Sequence, residues 1–188
     1  VPAWSNGNPV GGGKFRGQLM SDLRDGKAIA APDRAPAIAS ARAELEKLMQ
    51  LGNGQFECDN RQEALSYYRQ ARALADGAAG VASPVEVVFL CRRIGEVHQL
   101  RAEYDEARAA LAEAERRLED HPDPVELGQV LAIRGSIATD LGRFSQAQRL
   151  LKRAYELLKH SQDHHALGAL ERRLGKLYLR MGRPQEAR

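Results

Sequence analysis

The stretch that decides the fold is residues 131–154, LAIRGSIATDLGRFSQAQRLLKRA, because its pattern occurs again along the chain. Residues 91–114 give CRRIGEVHQLRAEYDEARAALAEA, and residues 171–188 give ERRLGKLYLRMGRPQEAR. An earlier copy, residues 48–71, gives LMQLGNGQFECDNRQEALSYYRQA. One glycine sets the register of each copy, and the last three are 40 residues apart: Gly52, Gly95, Gly135 and Gly175. Such a period predicts stacked structural units.

Small residues recur after each register glycine. An alanine follows twelve residues later in every copy: Ala64, Ala107, Ala147 and Ala187. Small side chains at matched positions let two helices pack closely, and apolar residues at three- and four-residue steps supply a buried stripe. Ser83-Pro84-Val85-Glu86 and Asp123-Pro124-Val125-Glu126 are helix-start signals. Each unit is therefore predicted to be a helix, a turn and a second helix.

These features predict an all-α solenoid of about 3.5–4 stacked antiparallel helical hairpins. The repeat domain spans residues 35–188, with repeats at about 36–76, 83–120, 123–160 and 164–188, the last incomplete. Residues 1–34 form a Gly/Pro-rich tail in which Phe15, Leu19 and Leu23 predict a short amphipathic helix. The alternatives for this tail are docking on its own groove or first repeat, docking on a partner chain and an origin in cloning.

The pattern of register glycine, hairpin glycine and paired alanines resembles the tetratricopeptide repeat family. The 40-residue period is similar to its long variants in bacterial signalling ATPases, kinases and transcription regulators and in kinesin-light-chain-like adaptors. The resemblance implies a right-handed superhelix that binds its ligand in the concave groove formed by the first helix of each hairpin. Carried onto this chain, the groove positions are Asn53, Phe56, Arg92, Glu96, Gln99, Ser136, Thr139, Arg172, Lys176 and Arg180.

The function implied is a non-catalytic scaffold that binds a peptide or helical segment of a protein partner. The alternative is a sensory or regulatory segment of a larger bacterial signalling protein. Arg172, Lys176 and Arg180 lie one turn apart on one helical face and indicate an acidic group on the partner. The competing interpretation is a solvated helix face or a site where further downstream repeats would pack. Self-association through the open C-terminal end, where the last hairpin is incomplete, is a further option.

Composition excludes several other classes. Aromatic residues are only 5% of the 188, and 28 basic residues nearly balance 25 acidic ones, so we expect no nucleic-acid partner. No apolar stretch is long enough for a membrane span. His160, His164 and His165 lie in a hairpin connection, so neither a metal nor a cofactor is expected. Cys58 and Cys91 form no disulfide framework, which indicates a reducing cytoplasm.

Arg134 departs from the repeat, because Ile94 and Leu174 occupy the equivalent positions in the neighbouring copies. Either its long stem carries the charge to solvent, or this face of the third repeat is exposed.

Overall fold

The computed structural model describes residues 31–77, 79–183 and 185, with side chains from Ala35 onward. The predicted tail helix and Ala187 lie outside these residues. Seven α-helices follow one another, and the described residues contain no β-strand. The helices are α1 (Ala31–Glu57), α2 (Arg61–Gly77), α3 (Pro84–Leu100), α4 (Tyr104–Asp120), α5 (Pro124–Asp140), α6 (Phe144–Leu158) and α7 (His164–Arg180). The predicted all-α fold is confirmed.

The helices pair into hairpins, α1 with α2, α3 with α4 and α5 with α6. Hairpins then stack, because α3 packs against α5 and α5 against α7, while α2, α4 and α6 each contact the helix that follows. The first helices of the hairpins therefore share one face of the stack. α3, α5 and α7 begin 40 residues apart, whereas α1 begins at Ala31, ahead of the predicted repeat start.

The predicted helix starts at Ser83 and Asp123 are confirmed. The Ser83 hydroxyl accepts from the Glu86 amide, and the Glu86 carboxylate accepts from the Ser83 amide at 2.8 Å, a reciprocal capping box. Asp123 accepts from the amides of Val125 and Glu126 at 2.9 and 3.1 Å. Each cap satisfies backbone donors that the helix itself leaves without partners.

The register glycines allow close packing inside each hairpin. A Cβ added to Gly95 would lie 2.8 Å from Leu111 Cγ, and one added to Gly135 would lie 2.7 Å from Leu151 Cδ2. At Gly52 the neighbour is the Tyr68 ring at 2.7 Å. In each case the large side chain stands sixteen residues after the glycine and is fully buried. The glycine therefore makes room for a large side chain of the second helix.

Arg134 lies at the edge of α5, half-buried, and forms an ion pair with Glu115 of α4. Its apolar stem occupies the position that Ile94 and Leu174 fill in other repeats, while its charge is neutralised at the surface. Of the two alternatives for Arg134, the structure shows the first, with an acidic partner added.

Candidate functional site

The concave face of the stack contains a groove of about 730 Å³. All four first helices contribute to its walls, from Phe56 on α1 to Lys176 on α7. Small side chains from α5 and α7 line its middle: Ala132, Ser136, Ala166 and Ala169. A volume in this range fits several side chains of a bound segment.

Glu96 is the centre of the charge network in the groove. Its carboxylate accepts from Arg93 at 3.1 Å and from Arg173 of α7 at 2.6 Å, and Arg92 lies 4.0 Å away. Burial opposes ionisation of Glu96, but the Arg173, Arg93 and Arg92 guanidiniums outweigh it, so the net effect is a lowered pKa. Glu96 is therefore a carboxylate at neutral pH, shared among three arginines.

Two further links tie the first helices together. Arg92 of α3 forms a bidentate pair with Glu126 of α5, at 2.7 and 3.3 Å. Asp140 of α5 accepts from Gln99 of α3 at 2.9 Å and pairs with Lys176 of α7 at 2.6 Å. These bonds connect α3, α5 and α7 along the groove, and they reduce the free charge of its basic residues.

Aromatic side chains support the arginines on the α1 side. The Arg93 guanidinium stacks over the Phe56 ring at 4.6 Å and lies 5.5 Å from the Phe89 ring centre. Arg92 lies 5.1 Å from the Phe89 ring centre. Cation–π contacts of this kind orient the two guanidiniums without neutralising their charge.

Residues 126–188 match the family model described as Tetratricopeptide repeat, and this range contains α6, α7 and nearly all of α5. This part of the chain is therefore similar to tetratricopeptide repeats. No curated protein matches the chain. Tetratricopeptide repeats generally mediate protein–protein interaction and are typically non-catalytic, and the hairpin stack of α1–α4 extends the same architecture toward the N-terminus.

Seven of the ten residues predicted to line the tetratricopeptide groove do so: Phe56, Arg92, Glu96, Gln99, Ser136, Arg172 and Lys176. Asn53, Thr139 and Arg180 are not among the lining residues. Thr139 is fully buried, and its hydroxyl donates to the Gly135 carbonyl at 2.9 Å. Arg180 is exposed in the last turn of α7. Whether the seven residues bind a partner stays a prediction.

Asn53 has a structural partner instead. The Tyr68 hydroxyl donates to the Asn53 side-chain oxygen at 2.7 Å, and Arg93 approaches the same oxygen at 3.5 Å. Burial raises the pKa of Tyr68 to about 12, so the hydroxyl keeps its proton and remains a donor. Asn53 therefore holds α1 against α2.

Arg172 is the basic residue of the groove whose charge is least compensated by acidic side chains of the described residues. Its side chain is exposed and lines the groove, and no acidic side chain among the described residues lies within 4 Å of its guanidinium. Lys176, by contrast, is paired with Asp140. Of the predicted basic anchor, Arg172 alone combines a place in the groove with a charge that no described acid neutralises.

Sequence reasoning missed Arg93 and Arg173, the two arginines that bind Glu96. A signal was present, because the pair Arg92-Arg93 recurs 80 residues later as Arg172-Arg173. The intervening repeat has Ala132-Ile133 at that position, which hides the recurrence. Glu126 was also missed as a groove acid, since it does not fall on the family positions.

The described residues give little support for metal binding or for catalysis by a thiol. They contain no group of three or more His, Cys, Asp or Glu side chains that could hold a metal ion. His160, His164 and His165 are exposed, as is Cys58, whereas Cys91 is buried. Burial raises the pKa of the Cys91 thiol, which disfavours the reactive thiolate. None of the seven helices has both the length and the apolar composition that a membrane span requires.

Proposed function

We propose that the chain is a non-catalytic scaffold that binds a peptide or helical segment of a protein partner along the concave groove. The groove of about 730 Å³, lined by α1, α3, α5 and α7, carries this proposal. Its aromatic residues on one side and its charged residues along α3 and α7 provide both apolar and polar contacts, which interfaces combine. A few anchors within the groove then supply most of the affinity.

A matched pair of tryptophan variants tests the proposal. Ala169 lines the groove and is half-buried, so Ala169→Trp fills the space that a ligand needs. Ala112 is exposed on α4, outside the groove, so Ala112→Trp adds the same surface elsewhere. A partner captured by the wild type should be kept by Ala112→Trp and lost by Ala169→Trp, with both variants shown to be folded by circular dichroism. A partner that both variants retain would place binding outside the groove.

The chain's Ala- and Arg-rich composition favours a second role, as a regulatory segment of a larger bacterial signalling protein in the cytoplasm. The two free thiols fit that reducing compartment. Introducing Ala169→Trp into the full-length gene product would then alter the activity of the linked ATPase, kinase or DNA-binding domain. If the variant loses the partner but the activity of the linked domain is unchanged, the scaffold role stands and the regulatory role is contradicted.

A further inference from the structure

We propose that the partner segment is acidic and that a four-arginine cluster, consisting of Arg92, Arg93, Arg172 and Arg173, receives its carboxylate in competition with Glu96. This inference rests on the proposed function, because it names the chemistry of the ligand that the same groove binds. The proposed binding site extends from the basic residues of α7 to those of α3. Glu96 occupies this site in the absence of a ligand.

The charges of the cluster are not balanced. Four guanidiniums line the groove, and the carboxylates paired with them are Glu96 and Glu126. These six described side chains therefore carry a net charge of +2, and Arg172 is the one of the four arginines that has no acidic partner among the described residues. The other acids of the lining, Glu57 and Asp163, lie at helix ends and form no ion pair with these arginines. An anionic segment would supply the missing charge.

The cluster also has hydrogen-bond donors to spare. A guanidinium carries five N–H donors in a fork that matches a carboxylate. Arg93 uses one nitrogen for Glu96 and a second for Asn53, while its buried Nε has no hydrogen-bond partner. No described residue accepts a hydrogen bond from Arg172. A carboxylate entering beside Arg172 would therefore find donors that are not engaged.

The Glu96 side chain is itself a carboxylate bound by these arginines, so it occupies the place that a ligand carboxylate would take. Its oxygens accept from Arg93 and Arg173, and the pKa of Glu96 is lowered because these guanidiniums outweigh the effect of burial. A ligand carboxylate that takes Arg173 leaves Arg92 paired with Glu126 and Arg93 stacked on Phe56. In the free protein the Arg173 guanidinium is paired with the Glu96 carboxylate, and in the bound state it would be paired with the ligand carboxylate. Arg173 therefore has one negative partner in both states.

Three synthetic probes test the proposal by fluorescence anisotropy at low and high salt. They are rhodamine-labelled octapeptides that alternate serine with glutamate, glutamine or lysine. The wild-type chain should bind the glutamate probe in preference to the others, with affinity that falls as salt rises. Arg172→Gln should weaken this binding by about tenfold, the loss of one charge-assisted hydrogen bond. Arg153→Gln, an exposed arginine on α6 outside the groove, should leave it unchanged.

Glu96→Gln separates the competitor role from simple attraction. Removing the internal carboxylate should tighten binding of the glutamate probe by about tenfold, since Arg173 becomes free. Unchanged or weaker binding by a folded Glu96→Gln variant would overturn the competition. If Glu96→Gln does not fold, Arg172→Glu decides, because reversal of this exposed charge should abolish glutamate binding. Equal affinity of the wild type for all three probes would overturn the acidic class.

The outcomes also distinguish this inference from the proposed function. If Ala169→Trp loses a natural partner but the glutamate probe never binds, the groove is the binding site and the acidic class is wrong. If the glutamate probe binds Ala169→Trp as it binds the wild type, the acidic site lies outside the groove and this inference falls. If the Ala169→Trp variant still binds the natural partner, the proposed function is contradicted.

Discussion

Arg173 on α7 donates a hydrogen bond to Glu96 on α3 at 2.6 Å, although 77 residues separate them and α5 lies between their helices in the stack. The small side chains of Ala132 and Ser136 on α5 line the groove between these helices. The pair therefore connects the second and fourth repeats across the concave face. It holds α7 close to α3 on the groove side of α5.

The Glu96–Arg173 pair should contribute measurably to stability. Both side chains are largely buried, so removing one partner leaves a charge in a poorly solvated place, and Glu96→Gln should lower the free energy of unfolding by about 3 kcal/mol. Arg173→Gln, combined with Glu96→Gln in a double-mutant cycle by urea denaturation, should give a coupling energy of about 1–2 kcal/mol. Additive effects of the two substitutions would contradict a direct interaction.

Acidification should remove the contribution of the ionised Glu96 carboxylate to the free energy of unfolding. Its pKa is lowered in the folded state, so the folded state gains stability above the ordinary value of 4.5. This gain is lost as the pH falls below 4.5 through the folded-state pKa. The difference in unfolding free energy between the wild type and Glu96→Gln should therefore be constant from pH 7 to about 5 and shrink below it. Denaturation series at several pH values measure it, and a difference independent of pH down to about 3 would contradict the prediction.

The sequence predicts those parts of the fold that depend on local interactions. Ser83 and Asp123 cap helices through residues two or three positions away, and Gly95 recurs at a distance set by one hairpin. The Glu96–Arg173 pair depends instead on how α3, α5 and α7 pack side by side, which no short pattern encodes. Thr139 illustrates the same limit on a smaller scale, since its register position fits the groove but its hydroxyl bonds to the Gly135 carbonyl.

Alanine substitutions should separate register glycines from other helical glycines. A Cβ at Gly95 would meet Leu111 Cγ at 2.8 Å and the Ala107 carbonyl oxygen at 3.3 Å, whereas one at Gly54 meets nothing within 4 Å. Gly95→Ala should destabilise the chain by about 1–3 kcal/mol through overpacking. Gly54→Ala, its control, should stabilise it by up to about 1 kcal/mol through higher helix propensity. Equal stabilities in urea would show that Leu111 moves aside without cost.

The hairpin turns offer a substitution that stabilises the chain. Gly142 and Gly182 adopt positive φ values of 71° in their turns, and the equivalent residue of the second hairpin is Ala102, with φ of 60°. A side chain in this left-handed region costs about 1–2 kcal/mol, which glycine avoids. Ala102→Gly should therefore stabilise the chain by about 1 kcal/mol, after allowance for the greater freedom of glycine in the unfolded state.

Gly142→Ala is the reciprocal variant of Ala102→Gly. It places a Cβ in the same left-handed conformation of the next hairpin, where nothing lies within 4 Å of the added atom, so crowding does not enter the comparison. The two substitutions should change the free energy of unfolding, measured by urea denaturation, in opposite directions by about 1 kcal/mol each. A loss of stability in Ala102→Gly would mean that the Ala102 methyl group makes contacts whose value exceeds the backbone strain.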